Sequence, residues 1–318
     1  MSPPLRRADQ TGPTYVYGPV PSRRLGFSLG VDILPFKTCS MDCIYCQLGS
    51  GAKTTVQRKE YVPVRAVLAQ IKAALAGSRR IDAVTFSGSG EPGLNSGIGK
   101  IIRALKRTTD IPVVVLTNSS CLVRQKVRRE FLAADIVVPS LDAVTDRVFQ
   151  KINRPHASLK VEKIIDGLVR FRREFEGRIW LEIMLVKGVN DGPAHLKKLK
   201  EAVARIRPDK VQLNTVVRPP AERYARPLDA AELERIRAYF GEKVEIIADF
   251  KAGSRQADTG DIPASILAAV GRRPMTARDL SLSLGLPSEE ISAQIIRLQA
   301  AGKVRAVPHH DRLYYEKA

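Results

Sequence analysis

The feature that most constrains the fold of this chain is an alternation between strand-like apolar runs and amphipathic helical segments. The apolar runs are 28–34, 82–87, 111–117, 135–140, 179–185 and 210–217. The helical segments that follow them are 62–77, 95–108, 122–133, 159–175, 193–206 and 229–240. This alternation predicts an α/β fold with a parallel sheet built from six βα units.

Polar or glycine-rich loops follow most of these strands. They read "FSGSGEP", "VLTNSS", "VVPSLDA" and "LNTVVRPP", and a cysteine-containing loop follows "SLGVDILPF". Active sites of βα folds are assembled at the carboxyl ends of the strands. We therefore expect all five loops to face one cavity.

Three of the four cysteines, Cys39, Cys43 and Cys46, lie within "KTCSMDCIYCQ" at 37–47. Such clustering differs from the spread pairs of a disulfide framework and favours reduced thiols that bind a metal. A C-x3-C-x2-C triad suits a 4Fe-4S cluster, holding three irons and leaving the fourth open. A structural zinc site needs a fourth ligand, and no His or Cys occurs in the seventy residues after Cys46. A redox pair of Cys43 and Cys46 leaves Cys39 unexplained.

The cysteine motif, with Tyr45 before its last cysteine, resembles that of the radical S-adenosylmethionine (SAM) superfamily. "SGSGEP" after the second strand is similar to the glycine-rich element by which that superfamily holds the methionyl end of SAM, and the resemblance runs from about residue 16 to 217. It implies a partial (β/α)6 TIM-like barrel within residues 1–250. It also implies reductive cleavage of SAM to methionine and a 5'-deoxyadenosyl radical, with an electron donor such as flavodoxin or ferredoxin.

The resemblance further implies which residues form the site. Cys39, Cys43 and Cys46 ligate the 4Fe-4S cluster, and SAM contacts are assigned to Tyr45, Gly88, Ser89, Gly90, Glu91, Asn118, Ser140, Asp142 and Asn214. The glycines allow close backbone approach, and Glu91 accepts from the amino group of SAM.

Several of these residues allow a second interpretation. Asn118 could cap a turn, and Asp142 could cap the helix expected in "AVTDRVFQKI". Asn214 and Gln212 share one strand face and could bond either adenine or neighbouring backbone.

Two further side chains are candidates for roles in the cavity. Glu182, on an otherwise apolar strand, needs either an arginine partner or a place lining the cavity. Cys121 is either a hydrogen donor or thiol ligand, or a small buried hydrophobic residue.

The C-terminal part of the chain differs in kind. A polar linker is expected at 251–262, and residues 263–318 are predicted as helix, helix, longer helix and a two-stranded wing, the order of a winged helix-turn-helix domain. Arg297, Lys303 and Arg305 favour contact with phosphates. The same fold also serves in protein binding, so its partner stays open.

Charge bears on the partner. The chain has 52 Lys and Arg against 33 Asp and Glu, a net charge of +19. This fits RNA or another polyanion, although basic composition can also serve solubility alone. No apolar run approaches the length that spans a bilayer, so we expect a soluble, cytoplasmic protein without a membrane partner.

A closer resemblance links "YGPVPSRRLGFSLGVDILPFKTCSMDCIYCQLG" and "SLDAVTDRVFQKINRPH" to the branch with the tRNA wyosine-type (4-demethylwyosine) synthases. Those enzymes ligate a second cluster through cysteines upstream of the triad. This chain has no cysteine before Cys39, so at most one full cluster is expected. Those enzymes also use a lysine in the upstream region to hold a pyruvate-derived carbon unit, and this chain has no lysine before Lys37, so their ring-forming reaction is not expected.

Three functions are compatible with these motifs. The chain could be a radical SAM enzyme that modifies RNA, such as tRNA. It could instead modify a peptide or metabolite, with the C-terminal domain binding a peptide or regulating. It could also be a non-enzymatic iron-sulfur sensor that binds DNA, but the "SGSGEP" element favours an enzyme.

Overall fold

The structure is a computed structural model that describes residues 13–22, 24–77, 80–247 and 262–318. An eight-stranded sheet forms its centre, with strand order equal to chain order. The strands are β1 Val16–Ser22, β2 Gly26–Val31, β3 Ala83–Phe86, β4 Val113–Thr117, β5 Ile136–Pro139, β6 Arg178–Leu185, β7 Lys210–Thr215 and β8 Val244–Ile246. β1 pairs antiparallel with β2, and all later neighbours pair in parallel.

Helices connect the parallel strands. They are α1 Val64–Leu75, α2 Ile98–Lys106, α3 Gln125–Phe131, α4 Asp146–Asn153, α5 Val161–Glu174, α6 Pro193–Ile206 and α7 Ala230–Phe240. Of the helices in the described ranges, none has the length and apolar character that crossing a lipid bilayer requires.

The six predicted βα units correspond to β2 to β7 with their helices, which confirms the α/β fold with a parallel sheet. The sheet has two further strands, β1 and β8, one at each edge. β1 contains a cis Gly18–Pro19 bond and an irregular register between Tyr17 and Val20, and β8 has three residues. Neither has the continuous apolar run by which the other strands were predicted.

Residues along each central strand alternate between two apolar clusters because successive side chains point to opposite faces of a sheet. On β4, Val113 and Val115 pack in the large core with the helices, whereas Val114 joins a smaller cluster on the other face. Leu116, which packs against the smaller cluster, also lines a cavity. The cavity therefore opens on the face opposite the helices.

The C-terminal module, residues 262–318, has its own apolar core. It consists of α8 Ile262–Val270, α9 Ala277–Leu284, α10 Ser288–Ala300 and an antiparallel hairpin of β9 Val304–His309 and β10 Arg312–Lys317. These are the three predicted helices and two predicted strands, while their interpretation as a winged helix remains a prediction. Except for Ile262, the predicted linker lies outside the described residues.

Candidate active site

One cavity of about 340 Å³ lies at the carboxyl ends of the parallel strands. Ten of the twelve predicted site residues line it, namely Cys39, Cys43, Tyr45, Cys46, Gly88, Gly90, Glu91, Asn118, Ser140 and Asn214. The other two, Ser89 and Asp142, are buried and do not line it. The sheet thus brings together loops that are up to 175 residues apart in the chain, from Cys39 to Asn214.

The cysteine loop and the glycine-rich loop lie side by side because backbone contacts join them. Thr38 and Gly90 form an isolated parallel bridge, and the amide of Glu91 donates to the carbonyl of Thr38 at 3.1 Å. On its other side the cysteine loop is fixed by the amide of Ile44, which donates to the carbonyl of Ile152 at 3.0 Å. The three thiols are therefore held next to the segment predicted to bind SAM.

All three clustered cysteines are free thiols that are neither fully buried nor fully exposed. Burial raises the pKa of Cys39 to about 12 and also raises the pKa values of Cys43 and Cys46. Buried thiolates of this kind are stabilised when their negative charge is balanced by a bound metal. Metal binding then deprotonates the three thiols and releases their protons.

The arrangement of the thiols also bears on the kind of metal. Among the described residues, no three His, Cys, Asp or Glu side chains are arranged to hold a single metal ion. A 4Fe-4S cluster spreads its thiolates over separate irons and does not need such convergence. The donor set therefore fits a cluster better than a zinc ion.

Two amide side chains reach the sulfurs of the cysteine loop. Nδ2 of Asn118 lies 3.4 Å from Sγ of Cys39 and 3.0 Å from Oγ of Ser40. Nδ2 of Asn153 lies 3.3 Å from Sγ of Cys43. Amide donors at ligand sulfurs influence the reduction potential of an iron-sulfur cluster. Asn118 also caps its turn, since its Oδ1 accepts from the amide two residues later at 3.1 Å.

Sequence reasoning missed Asn153, which lies at the end of α4 without a distinguishing local pattern. Asp142 connects it to the rest of the site: Oδ2 accepts from Nδ2 of Asn153 at 2.8 Å and from the hydroxyl of Tyr45, and Oδ1 accepts from the amide of Met184 at 2.9 Å. Burial raises the pKa of Asp142 to about 6. The N-cap of α4 is Thr145, so Asp142 does not cap that helix.

The glycine-rich loop packs too tightly for side chains at two positions. A Cβ on Gly88 would lie 2.5 Å from Cγ of Asp32, and the residue has a φ of +141°. A Cβ on Gly90 would lie 1.8 Å from the carbonyl oxygen of Thr38. Between them, Ser89 turns away from the cavity: its amide and hydroxyl donate to Asp32 at 3.1 and 2.6 Å.

Glu91 is buried at the base of the cavity and is 1% exposed. Its Oε1 accepts from the amide of Gly93 at 2.8 Å and from the hydroxyl of Thr117 at 2.7 Å, and its Oε2 accepts from the amide of Asn118 at 2.6 Å. Burial raises the pKa of Glu91 despite these donors. A carboxylate offers about four acceptor positions, so room remains for one ligand donor.

Glu182 both lines the cavity and has an arginine partner, so both interpretations of this residue hold. Arg24 Nη1 lies 2.5 Å from Oε2 of Glu182 and donates to Oε1 of Gln212 at 2.9 Å. Nδ2 of Asn214 donates to Oε1 of Glu182 at 3.0 Å. Gln212 is fully buried, and its amide donates to Glu245, so side chains rather than backbone are its partners.

Cys121 is 5% exposed and belongs to the large apolar core. It does not line the cavity with the other cysteines. Burial raises its pKa far above that of a free thiol. This placement fits the interpretation of Cys121 as a small buried hydrophobic residue.

Comparison with known proteins finds relatives over most of the chain. The family model described as the radical SAM superfamily matches residues 33–203. The chain is 32% identical over 312 residues to the UPF0026 protein MJ1312 of Methanocaldococcus jannaschii, covering 96% of each chain. It is also 39% identical over 293 residues to a protein named GTPase Obg in Brachyspira hyodysenteriae, covering 91% of this chain but only 43% of that protein.

More distant similarities extend to an RNA-modifying enzyme and to a solved structure. The dual-specificity RNA methyltransferase RlmN of Nitratidesulfovibrio vulgaris is 29% identical over 219 residues, which cover 63% of this chain and 56% of that protein. A radical SAM methyltransferase from Sphaerobacter thermophilus shares the fold with a TM-score of 0.55 and 18% identity, over 71% of this chain and 67% of that one. Proteins of this superfamily use a 4Fe-4S cluster and SAM. With the family model matching more than half of its length, the chain belongs to the radical SAM superfamily and, through its full-length similarity, to the UPF0026 proteins.

Proposed function

We propose that this enzyme cleaves SAM reductively at a 4Fe-4S cluster and uses the resulting radical to modify RNA. The observation that carries the proposal is the single cavity in which three thiols, the glycine-rich loop and Glu91 meet. When bound, the cluster and SAM supply an electron and a 5'-deoxyadenosyl radical that abstracts hydrogen from the substrate. The protein contributes binding, orientation and exclusion of water.

Individual residues would contribute as follows. Cys39, Cys43 and Cys46 would ligate three irons. Gly88, Gly90 and Glu91 would receive the methionyl end of SAM. The two glycines let the loop pack directly against Asp32 and Thr38, which fixes its position, and Glu91 retains an acceptor position. Polar side chains at the ends of later strands would contact the rest of SAM, namely Asn118, Ser140 and Asn214.

Ser89 and Asp142 would act as positioning residues rather than as contacts to SAM. Ser89 is bonded to Asp32, away from the cavity. Asp142 orients Tyr45 and Asn153 beside Cys43. We therefore keep both residues in the proposed site, but as residues that position their neighbours and do not contact SAM.

RNA is the substrate class that charge and similarity favour. The similarity to an RNA methyltransferase over 63% of this chain supports it, as does the net charge of +19. The resemblance to wyosine-type synthases points in the same direction, to a tRNA. With Cys121 in the apolar core, the chain would hold one cluster and not the second cluster of those synthases.

The test is whether RNA is bound and changed. Reconstituted enzyme with flavodoxin or ferredoxin as electron donor, SAM and bulk tRNA should give a mass change in the nucleosides after nuclease digestion, and more 5'-deoxyadenosine than without RNA. An unchanged nucleoside profile, with 5'-deoxyadenosine formation that only a peptide or metabolite extract stimulates, would overturn the RNA assignment.

Binding can be tested separately at the C-terminal module. Arg297 and Lys303 are exposed. The logarithm of RNA affinity falls linearly with the logarithm of salt concentration, and replacing either residue with Gln should make this negative slope shallower by roughly one. A Gln replacement of Arg278, also exposed but on α9, is the matched control for charge. If all three variants had the same slope as the wild-type protein, Arg297 and Lys303 would not contact phosphates.

A further inference from the structure

The C-terminal module contacts the eight-stranded sheet domain along β1 and just after β7. Oγ of Ser283 donates to the carbonyl of Pro19 at 3.3 Å, and the hydroxyl of Tyr314 donates to the carbonyl of Val217 at 2.6 Å. Between α8 and α9, the module also places Arg272 and Arg273 in the lining of the cavity that holds the three clustered cysteines. One wall of the candidate active site is therefore contributed by the module.

Arg272 makes three contacts with the sheet domain. Its Nη2 donates to the carbonyl of Thr14 at 2.8 Å, its Nε lies 3.4 Å from Oδ2 of Asp32, and its guanidinium lies over the ring of Tyr17, with Cζ 5.3 Å from the ring centroid. The side chain of Arg272 is 18% exposed and that of Asp32 is 6% exposed. Low exposure strengthens the attraction between the two charges.

Asp32 and Tyr17, the two side chains of the sheet domain that Arg272 contacts, also hold the glycine-rich loop. Asp32 accepts from both the amide and the hydroxyl of Ser89, and the hydroxyl of Tyr17 lies 2.9 Å from Oγ of Ser87. The loop also packs closely on Asp32, since a Cβ on Gly88 would lie 2.5 Å from the carboxyl carbon. One side chain of the module thus touches both anchors of the loop.

We propose that Arg272 is a positioning residue for SAM and that the C-terminal module is therefore a working part of the SAM site. Asp32 is a buried carboxylate that accepts two hydrogen bonds from Ser89, and Arg272 is a cation that lies against it and compensates its charge. Without Arg272 the buried carboxylate loses a compensating cation, and it anchors the loop less firmly. Because coupling is reciprocal, SAM binding favours the docked position of the module.

The inference rests on the proposed role of the glycine-rich loop in SAM binding, and equilibrium dialysis of SAM with reconstituted protein of known iron content tests it. We expect Arg272→Ala to raise the dissociation constant for SAM roughly tenfold, the effect of losing one partly buried ion pair. Arg278→Ala, which removes an exposed arginine of the same module, should bind SAM as wild type does.

A double-mutant cycle separates positioning from general loss of structure. Asp32→Asn should weaken SAM binding by a similar factor, and the double variant should be no weaker than either single variant because both break the same link. Arg272→Lys keeps the positive charge but not the planar guanidinium, so it should bind SAM more tightly than Arg272→Ala and less tightly than wild type. If Arg272→Ala does not fold, Arg272→Lys replaces it in the test.

Affinity of Arg272→Ala indistinguishable from wild type at equal iron content would overturn the inference, as would additive effects in the double variant. A wild-type protein that takes up iron and binds no SAM would instead overturn the proposed function. The two failures are therefore distinguishable in the same experiment.

Discussion

Gly90 is a position where no residue larger than glycine fits without a shift of the backbone. A Cβ there would lie 1.8 Å from the carbonyl oxygen of Thr38 and 2.6 Å from its carbonyl carbon, whereas real Cβ contacts essentially never fall below 3.0 Å. The backbone would have to separate by more than 1 Å, the difference between these values. That shift would also break the hydrogen bond from the amide of Glu91 to Thr38, which is 3.1 Å long.

These two effects set the expected magnitude for Gly90→Ala. Overpacking costs about 1 to 3 kcal/mol and a lost hydrogen bond about 1 kcal/mol, so the free energy of unfolding should fall by about 2 to 4 kcal/mol. Because Thr38 directly precedes Cys39, iron uptake on reconstitution should fall as well. Urea unfolding of the iron-free protein under reducing conditions and iron analysis measure the two quantities.

Gly192→Ala is the matched control. Gly192 precedes α6 with a φ of −70°, and a Cβ added there would meet no atom within 4 Å. Alanine there should change the free energy of unfolding by less than about 1 kcal/mol. If Gly90→Ala were as stable as Gly192→Ala and took up the same amount of iron, the close packing of the cysteine loop against the glycine-rich loop would be refuted.

Three further predictions concern the charges and sulfurs of the site. Asn153→Leu removes the amide donor at Cys43 and should lower the reduction potential of the cluster by about 40 mV, the one-electron equivalent of about 1 kcal/mol; an unchanged potential in an EPR-monitored titration would contradict this. In iron-free folded protein, a pKa of about 12 leaves roughly one Cys39 in 10⁴ as thiolate at pH 8, so alkylation of Cys39 by iodoacetamide should be slow and should accelerate as pH rises. Unfolding in urea removes the burial that raises the pKa, so alkylation should then be fast. Equal rates in folded and unfolded protein would contradict that prediction. Arg24→Met removes the cation beside Glu182 and should cost about 3 kcal/mol of stability, largely restored by adding Glu182→Gln; full stability of the single variant would show that the pair is not needed.

The parallel sheet could be predicted from the sequence because its central strands are buried on both faces and so form continuous apolar runs. The edge strand β1 escaped prediction because Gly18 and Pro19 interrupt it, and both are residues that normally end strands.

The candidate site could be predicted as far as it depends on strand ends. Ten residues from separate loops line one cavity because parallel strands end at the same edge. Ser89 and Asp142 depart from this pattern because they are buried behind the lining residues, in hydrogen bonds with Asp32 and with Tyr45 and Asn153. Those pairings are set by packing rather than by a local motif.

The contribution of the C-terminal module was also beyond sequence reasoning. Arg272 lies 240 residues after Asp32, and the segment in which it occurs has no periodicity that marks it as part of a site. Charge alone does not distinguish it from the other 51 Lys and Arg residues of the chain. Only the folded arrangement shows that it touches the anchors of the glycine-rich loop.

The most direct test of the central claim is the formation of 5'-deoxyadenosine. Anaerobically reconstituted protein, reduced with dithionite and supplied with SAM, should produce it, and Cys43→Ala should not. No product from wild-type protein with a full, reducible cluster would contradict the account and favour an iron-sulfur sensor.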